Sequence, residues 1–161
     1  MKKTRGIIAV LLLALALTLA AGCGKEPAKL DLDIAALSAD VIASGAYTDS
    51  MGQTKAETAT TIYKMDGEKV SQCSVYFSSM ATAEECAIFK AADAKSVETL
   101  VAACKARQEA QVSAYENYVP TEVEKIENAI IGSADDYVFY IVSADNAKVT
   151  EVLTSYGVEI K

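Results

Sequence analysis

The first 23 residues most constrain what this chain folds into, because their layout sets them apart from the domain that follows. Three basic residues, Lys2, Lys3 and Arg5, precede an apolar run over residues 7–21. Fifteen helical residues rise about 22 Å, which is short of the ~30 Å hydrocarbon core of a bilayer. The run therefore predicts a cleaved signal peptide rather than a permanent membrane helix.

The apolar run ends in Leu-Ala-Ala-Gly-Cys over residues 19–23. This ending resembles the bacterial lipobox, in which a small residue precedes a cysteine that is acylated, for example with palmitate, before cleavage. Cys23 is thus the predicted lipidation site. Residues 1–22 form the predicted signal peptide, and residues 23–30 the lipidated cysteine and a short linker. The alternative is an uncleaved short anchor with a chance cysteine.

These features predict a lipid-anchored protein on the extracytoplasmic face of the cell membrane, held in the bilayer by acylated Cys23. Cleavage removes three positive charges and no negative ones, which takes the formal charge from −7 to −10. Arg107 is then the one remaining arginine. An acidic chain with a single arginine is poorly suited to binding nucleic acid, since basic patches provide that affinity.

The absence of histidine excludes several kinds of chemistry. Ser–His–Asp and Cys–His catalysis and His-ligated zinc all require an imidazole. The sequence also contains no P-loop and no Gly-x-Ser-x-Gly motif. We therefore predict no catalytic residue, no metal site and no cofactor.

Hydrophobic periodicity predicts a single α+β domain over residues 31–161. The predicted architecture is an N-terminal helix followed by two ββα units, which form a four-stranded antiparallel sheet with the helices on one face. The apolar strand over 137–143 is expected to be central. Helices are predicted over 32–44, weakly over 55–63, over 94–118 and before Gly157, and strands over 70–77, 86–90, 123–131 and 137–143.

The two ββα units align without a gap when the chain is shifted by 52 residues. Three residues, Ala92, Asp93 and Val97, are then identical to their counterparts. This weak similarity is consistent with an internal repeat. The alternative is that any two ββα units share the same apolar pattern.

Two glutamines, Gln108 and Gln111, interrupt the apolar stripe of the long predicted helix. One explanation is that the helix overhangs the sheet there, or that each amide bonds a loop. The other explanation is a polar pocket beneath the helix.

Three cysteines remain when Cys23 is lipidated. Cys104 lies on the apolar stripe and is expected to be buried. If the first hairpin centres on residues 79–80, Cys73 and Cys86 face each other across two strands. That register makes a disulfide between these two residues a candidate feature of an exported protein.

The loop over residues 78–84 is the candidate binding surface, because loops held by a hairpin often carry recognition residues. It offers hydroxyl groups, an apolar tip and neighbouring acids. The adjacent acids Glu84 and Glu85, like Asp135 and Asp136, are expected to be solvated turn residues. The alternative for the whole loop over 78–84 is a plain polar turn that binds nothing. The candidate binding residues are Ser78, Ser79, Met80, Thr82 and Glu84.

The segment 75–91, together with the lipobox-like ending, resembles a family of small Gram-positive bacterial lipoproteins with a single domain of unknown function. The segment has the sequence Val-Tyr-Phe-Ser-Ser-Met-Ala-Thr-Ala-Glu-Glu-Cys-Ala-Ile-Phe-Lys-Ala. The resemblance spans roughly residues 32–156 and implies tethering outside the cell, with no assigned activity. Later positions that fit the layout of the family are Gln108, Tyr115, Tyr118, Pro120 and Glu122.

We therefore expect a membrane-tethered, non-enzymatic domain that binds another envelope component, either a protein or a glycan. A small carboxylate-based cell-envelope hydrolase is the alternative from a different class. A structural spacer is the third hypothesis.

Overall fold

The computed structural model describes residues 29–161, so Cys23 and the predicted signal peptide lie outside the described residues. Within the described part of the chain, no helix is both long and apolar enough to cross a membrane. The regular elements are α1 (Ile34–Ala43), β1 (Gly52–Gln53), α2 (Ala56–Ile62), β2 (Val70–Phe77), β3 (Glu85–Ala91), α3 (Val97–Tyr115), α4 (Val123–Glu127), β4 (Ile130–Ala134), β5 (Tyr137–Val142) and α5 (Asn146–Ser155).

The strands form one antiparallel sheet in the order β1-β2-β3-β5-β4. The α+β class is therefore confirmed. Strand β5 lies between β3 and β4, which agrees with its uninterrupted apolar sequence. Glu85 at the start of β3 faces Val142 at the end of β5, and Lys90 faces Tyr137.

The predicted sheet of four strands is wrong, because five strands are present in the described residues. The additional strand, β1, has two residues and pairs Gly52 with Phe77 at the sheet edge. Two residues are too few to show a period. The predicted strand over 123–131 is wrong in its first part, whereas Ile130 and Ile131 do belong to a strand, β4. Val123 and Ile126 are separated by three residues, which is helical spacing, and they belong to α4.

The helices pack on both faces of the sheet, which corrects the prediction that they share one face. Helices α1 and α5 cover the face that carries Ile88 and Phe139. Helices α2, α3 and α4 cover the face that carries Phe89 and Tyr140. The side chains that point to either face of β3 and β5 are apolar. Each of these strands therefore buries both of its faces.

The two ββα units also differ in the face of the sheet on which their helices pack. Helix α3 lies on one face of the sheet and α5 on the other. The similarity at a spacing of 52 residues therefore does not correspond to a repeated packing arrangement. The shift also places β2 on residues 122–129, which include helix α4, so only the apolar pattern of one strand and one helix is shared.

The capping residues in the sequence set the ends of α1 and α5. Asp33 Oδ1 accepts hydrogen bonds from the first turn of α1, and Asp145 Oδ1 does so for α5. Gly45 and Gly157 follow these helices with φ angles of 76° and 74°. Because glycine enters the left-handed region without steric cost, both residues suit a helix end.

Candidate functional site

A groove of about 630 Å³ lies between α3 and the loop over residues 78–84, and we call it the α3 groove. The loop connects β2 to β3, so the groove lies at the end of the sheet where β3 begins. One wall comes from the last three turns of α3 and the residues that follow it. The principal lining residues are Ile62, Phe77, Met80, Glu85, Arg107, Gln111, Tyr115 and Tyr118.

The rim of the α3 groove is apolar and exposed. Ile62, Met80 and Tyr118 are exposed by 37%, 78% and 75%. These three are the exposed large hydrophobic residues of the described chain, and all three line this one groove. Apolar side chains gathered around a concavity mark a binding surface more strongly than the same side chains scattered singly.

Met80 stands at the tip of a loop that is held by internal hydrogen bonds. Its φ angle is 72°, a left-handed conformation that is rare for a residue with a long side chain. The Thr82 carbonyl accepts hydrogen bonds from Ser78 Oγ at 2.7 Å and from the Tyr115 hydroxyl at 2.8 Å. The backbone N–H of Ser78 donates to the carbonyl of Glu84 at 3.1 Å. These bonds hold Met80 in a strained but defined position.

A buried ion pair lies in the wall of the groove. Arg107 Nη2 donates to Glu85 Oε2 at 2.9 Å, and its Nε lies 3.5 Å from Oε1. The guanidinium also lies 5.9 Å from the ring centroids of both Tyr63 and Phe77. Two aromatic rings and one carboxylate therefore fix the orientation of the one arginine in the described chain.

Glu85 accepts hydrogen bonds from two further donors. The Tyr63 hydroxyl donates to Oε1, and Gln111 Nε2 donates to Oε2 at 2.9 Å. Gln111 Oε1 in turn accepts from the Tyr140 hydroxyl. Burial raises the pKa of the Glu85 carboxyl, and Arg107 together with these donors opposes that increase. Because all three groups donate, the network matches an ionised carboxylate.

Glu84 forms a separate polar cluster beside the groove. Its carboxylate accepts from the backbone N–H groups of Thr48 and Asp49 at 2.9 and 3.0 Å, and from Lys125 Nζ at 3.1 Å. Burial raises the pKa of Glu84, but a hydrogen bond from the Thr48 hydroxyl at 2.7 Å and the bonds just described outweigh burial and hold the pKa below its ordinary value. Lys125 also bonds Glu122, so its charge is shared by two acids.

The prediction that Glu84 and Glu85 are exposed is wrong. Each residue is 1% exposed, because α3 provides Arg107 and α4 provides Lys125 as partly buried cationic partners. Asp135, by contrast, is exposed in the turn between β4 and β5.

The candidate binding residues in the loop fall into two groups. Ser78, Met80, Thr82 and Glu84 line the groove, and Ser79 does not. The hydroxyl groups of Ser78 and Ser79 are engaged within the protein, since Ser79 Oγ donates to Asp49 at 2.6 Å. Met80 is therefore the residue of this set that is most available to a partner.

Each explanation for the interrupted helix stripe applies to one glutamine. Gln108 Nε2 donates to the carbonyl of Ile126 at 2.8 Å, so this amide bonds the neighbouring helix α4. Gln111 is buried in the polar cluster around Glu85, so a polar site does lie beneath the helix.

The register of β2 and β3 does not bring the two candidate cysteines together. Cys73 faces Phe89, and Cys86 faces Tyr76. The hairpin centres near residue 81 rather than at 79–80, because the loop is longer than a tight turn. The predicted pairing of Cys73 with Cys86 is wrong, and the cysteines of the described residues are free.

The sequence reasoning did not identify Arg107 as a site residue. Arg107 and Gln111 follow Cys104 at helical spacing, so they lie on the buried face of α3. The signal in the sequence was a single arginine on the apolar stripe of a helix, because a charge on a buried face needs a carboxylate partner. No group of three potential metal ligands occurs among the residues that the structure describes.

The family model described as domain of unknown function (DUF4358) matches residues 43–143. That span is more than half of the chain and contains every residue that lines the α3 groove. The match confirms the predicted single domain of unknown function. Neither the comparison with curated proteins nor the comparison with solved structures gives a match.

Proposed function

We propose that this chain, which belongs to the family described as domain of unknown function (DUF4358), is a lipid-anchored binding protein on the extracytoplasmic face of the cell membrane. Its binding surface is the α3 groove. The observation that carries the proposal is that Ile62, Met80 and Tyr118 are exposed around one concavity. Leaving this apolar area in water has a free-energy cost that a bound partner removes.

The evidence for the lipid tether is the order of the basic residues, the apolar run and Cys23 in the sequence. Cells that express the wild type or Cys23→Ala are labelled with a fatty-acid probe. We expect label on the wild type and none on the variant, together with release of the variant from the membrane fraction. Equal labelling of the two proteins contradicts the tether.

Binding is favoured over catalysis because the buried acids already have partners. Glu85 is bonded to Arg107, Tyr63 and Gln111, and Glu84 is bonded to Lys125 and two backbone N–H groups. An acid or base in hydrolysis must instead reach the bond that it protonates or the water that it activates.

The carboxylate-based cell-envelope hydrolase remains the second candidate because of one observation. Glu85 lines the groove and its pKa is raised by burial, which is the usual environment of a general acid. A glycan hydrolase also needs a second carboxyl group across the substrate. Loss of glycan cleavage by purified protein on Glu85→Gln would support this candidate, whereas no cleavage by the wild type would dismiss it.

The binding proposal is tested by crosslinking from the surface of intact cells with a membrane-impermeant reagent. The wild type is compared with a double variant, Met80→Gly with Tyr118→Ala, which removes the two most exposed side chains of the apolar rim. We expect the crosslinked partner species to be lost in the double variant while its amount at the membrane is unchanged. Unchanged crosslinking by the double variant contradicts the assignment of the groove.

A further inference from the structure

The α3 groove and the start of the described chain lie at opposite ends of the sheet. Strand β3 runs from Glu85, which lines the groove, to Ala91. The backbone N–H of Ala91 donates to Asp136 in the β4–β5 turn. That turn also holds the N-terminal end, because Lys29 pairs with Asp136 and the N–H of Leu30 bonds Asp135, each at 2.6 Å.

The length of β3 sets the separation between tether and groove. Its seven residues span about 20 Å at ~3.3 Å per residue. In the proposed mature chain, seven residues join Cys23 to Leu30 and reach at most about 25 Å. The described chain therefore begins at the end of the sheet opposite the groove, which favours a groove that faces away from the bilayer. Because the linker would have to be almost fully extended to span this distance, we favour a separate partner as the occupant of the groove.

The charges around the groove favour a cationic partner. Glu84 and Glu85 line the groove, Glu122 accepts from the N–H of Ala83 in its wall, and Asp49 accepts from Ser79 in its loop. The cations bonded to these acids are Arg107 and Lys125, and both form ion pairs. Four carboxylates against two cations leave an excess of negative charge at this end of the domain. Opposite charge on the partner is therefore favoured.

The exposed tyrosine at the rim of the groove also favours a cationic partner. The rings of Tyr115 and Tyr118 pack edge to face with centroids 6.4 Å apart, and Tyr118 is 75% exposed. A lysine or arginine side chain laid on an exposed tyrosine ring gains a cation–π interaction. Met80 opposite offers an adaptable apolar contact.

From these observations, and resting on the proposed binding function, we infer that the α3 groove binds a segment of another envelope protein in which bulky apolar residues are flanked by basic ones. The apolar residues enter between Met80 and Tyr118. The basic residues lie against Tyr118, at an end of the domain where carboxylates outnumber cations. The partner approaches from the side of the domain that is away from the tether.

The test uses the full acylated protein in vesicles of zwitterionic phosphatidylcholine, with protein-free vesicles as the baseline. Four fluorescent peptides of equal length are compared by anisotropy. Three carry the same Phe-Leu pair, flanked by lysines, glutamines or glutamates, and the fourth carries lysines around a Ser-Ser pair. The rim variant, Met80→Gly with Tyr118→Ala, removes the two most exposed rim side chains, and Lys64→Gly, at another left-handed residue that does not line the groove, is the matched control.

We expect the lysine peptide with Phe-Leu to bind about tenfold more tightly than the glutamine peptide at low salt, with a smaller difference at high salt. The rim variant should lose this binding, and Lys64→Gly should retain it. Equal or tighter binding of the glutamate peptide would overturn the inferred partner chemistry but leave the groove as a binding site. Equal binding of the Ser-Ser peptide would also overturn it, because only charge would then be recognised.

Two further outcomes separate this inference from the proposed function. If no peptide binds while the rim variant still abolishes crosslinking in cells, the partner chemistry is wrong and the binding function stands. A fluorophore at residue 118 tests whether the groove instead contacts the membrane that carries the protein. Quenching of this fluorophore by spin-labelled lipid in the same vesicles would place the groove on its own membrane and overturn the inference.

Discussion

Arg107 on helix α3 donates a 2.9 Å hydrogen bond to the buried carboxylate of Glu85 at the first position of strand β3. This pair joins the helix to the sheet at the wall of the α3 groove. The side chain of Arg107 is 24% exposed and that of Glu85 is 1% exposed. The carboxylate is therefore the partner that cannot regain water when the pair is broken.

We expect Arg107→Ala to lower the free energy of unfolding by about 3–5 kcal/mol at pH 7.5, because it leaves a buried carboxylate without its cation. Replacing both partners, as Arg107→Met with Glu85→Leu, should cost much less. Urea unfolding of the purified variants measures both values. A double variant as unstable as Arg107→Ala would show that the loss does not come from an unpaired charge.

The loss in Arg107→Ala should also depend on pH. Without the guanidinium, burial raises the folded-state pKa of Glu85 further above the unfolded value of about 4.3. The folded state then binds the proton more readily, so stability rises as pH falls from the folded pKa towards 4.3. Arg107→Ala should regain part of its lost stability between pH 7.5 and pH 5. A loss that is the same at both pH values contradicts this prediction.

Glu84 should show the opposite pH dependence, because its pKa is lowered in the folded state. Its ionised form stabilises the fold above the unfolded pKa, and this contribution is lost as pH falls through the folded pKa. We expect Glu84→Gln to cost about 1–3 kcal/mol at pH 7 and much less near pH 3. Glu151→Gln, at an exposed position of α5, is the control and should change little. A cost for Glu84→Gln that does not change with pH would disprove the account.

Met80→Gly should change the stability of the protein little. Glycine relieves the left-handed conformation at φ 72°, although it also adds freedom to the unfolded chain. The net change should lie within about 1 kcal/mol of zero. Lys64 has φ 51° and is exposed, so Lys64→Gly provides a matched comparison. Thermal unfolding that shows a large loss for Met80→Gly alone would mean that the Met80 side chain supports the fold.

Gly132→Ala should destabilise the domain through the C-terminal residues. A Cβ at this position would overlap the Lys161 carbonyl and lie 2.5 Å from Ile160 Cγ2. Overpacking of this kind costs about 1–3 kcal/mol. Deleting residues 159–161 should make the substitution nearly neutral in the shortened chain. Equal costs in the full-length and shortened chains would show that the clash is not with the terminus.

The sequence predicted those parts of the fold that carry a strong period or a cap. Asp33 and Gly45 bound α1, Asp145 and Gly157 bound α5, and the apolar residues of β5 indicated an interior strand. It did not predict β1, since two residues carry no period. Nor did it predict the second layer of helices, which depends on β3 and β5 being apolar on both faces.

The candidate site was predicted in part. The loop over 78–84 does border the groove, and Met80 is exposed there. The burial of Glu84 and Glu85 was missed because it depends on Lys125 and Arg107, which lie 41 and 22 residues away along the chain. Local sequence cannot show such pairings, because a turn-like Glu-Glu next to a loop has the same pattern whether it is solvated or paired.

The most direct test of the central claim places a photoreactive amino acid at residue 118 of the acylated protein in intact cells, with residue 151 as the control. Both positions are exposed, but residue 118 lines the α3 groove and residue 151 lies on α5, whose side of the sheet is opposite. We predict a discrete crosslinked protein species from residue 118 that is absent from residue 151. The same species from both positions, or none from residue 118, would contradict the proposal that this groove is the binding surface.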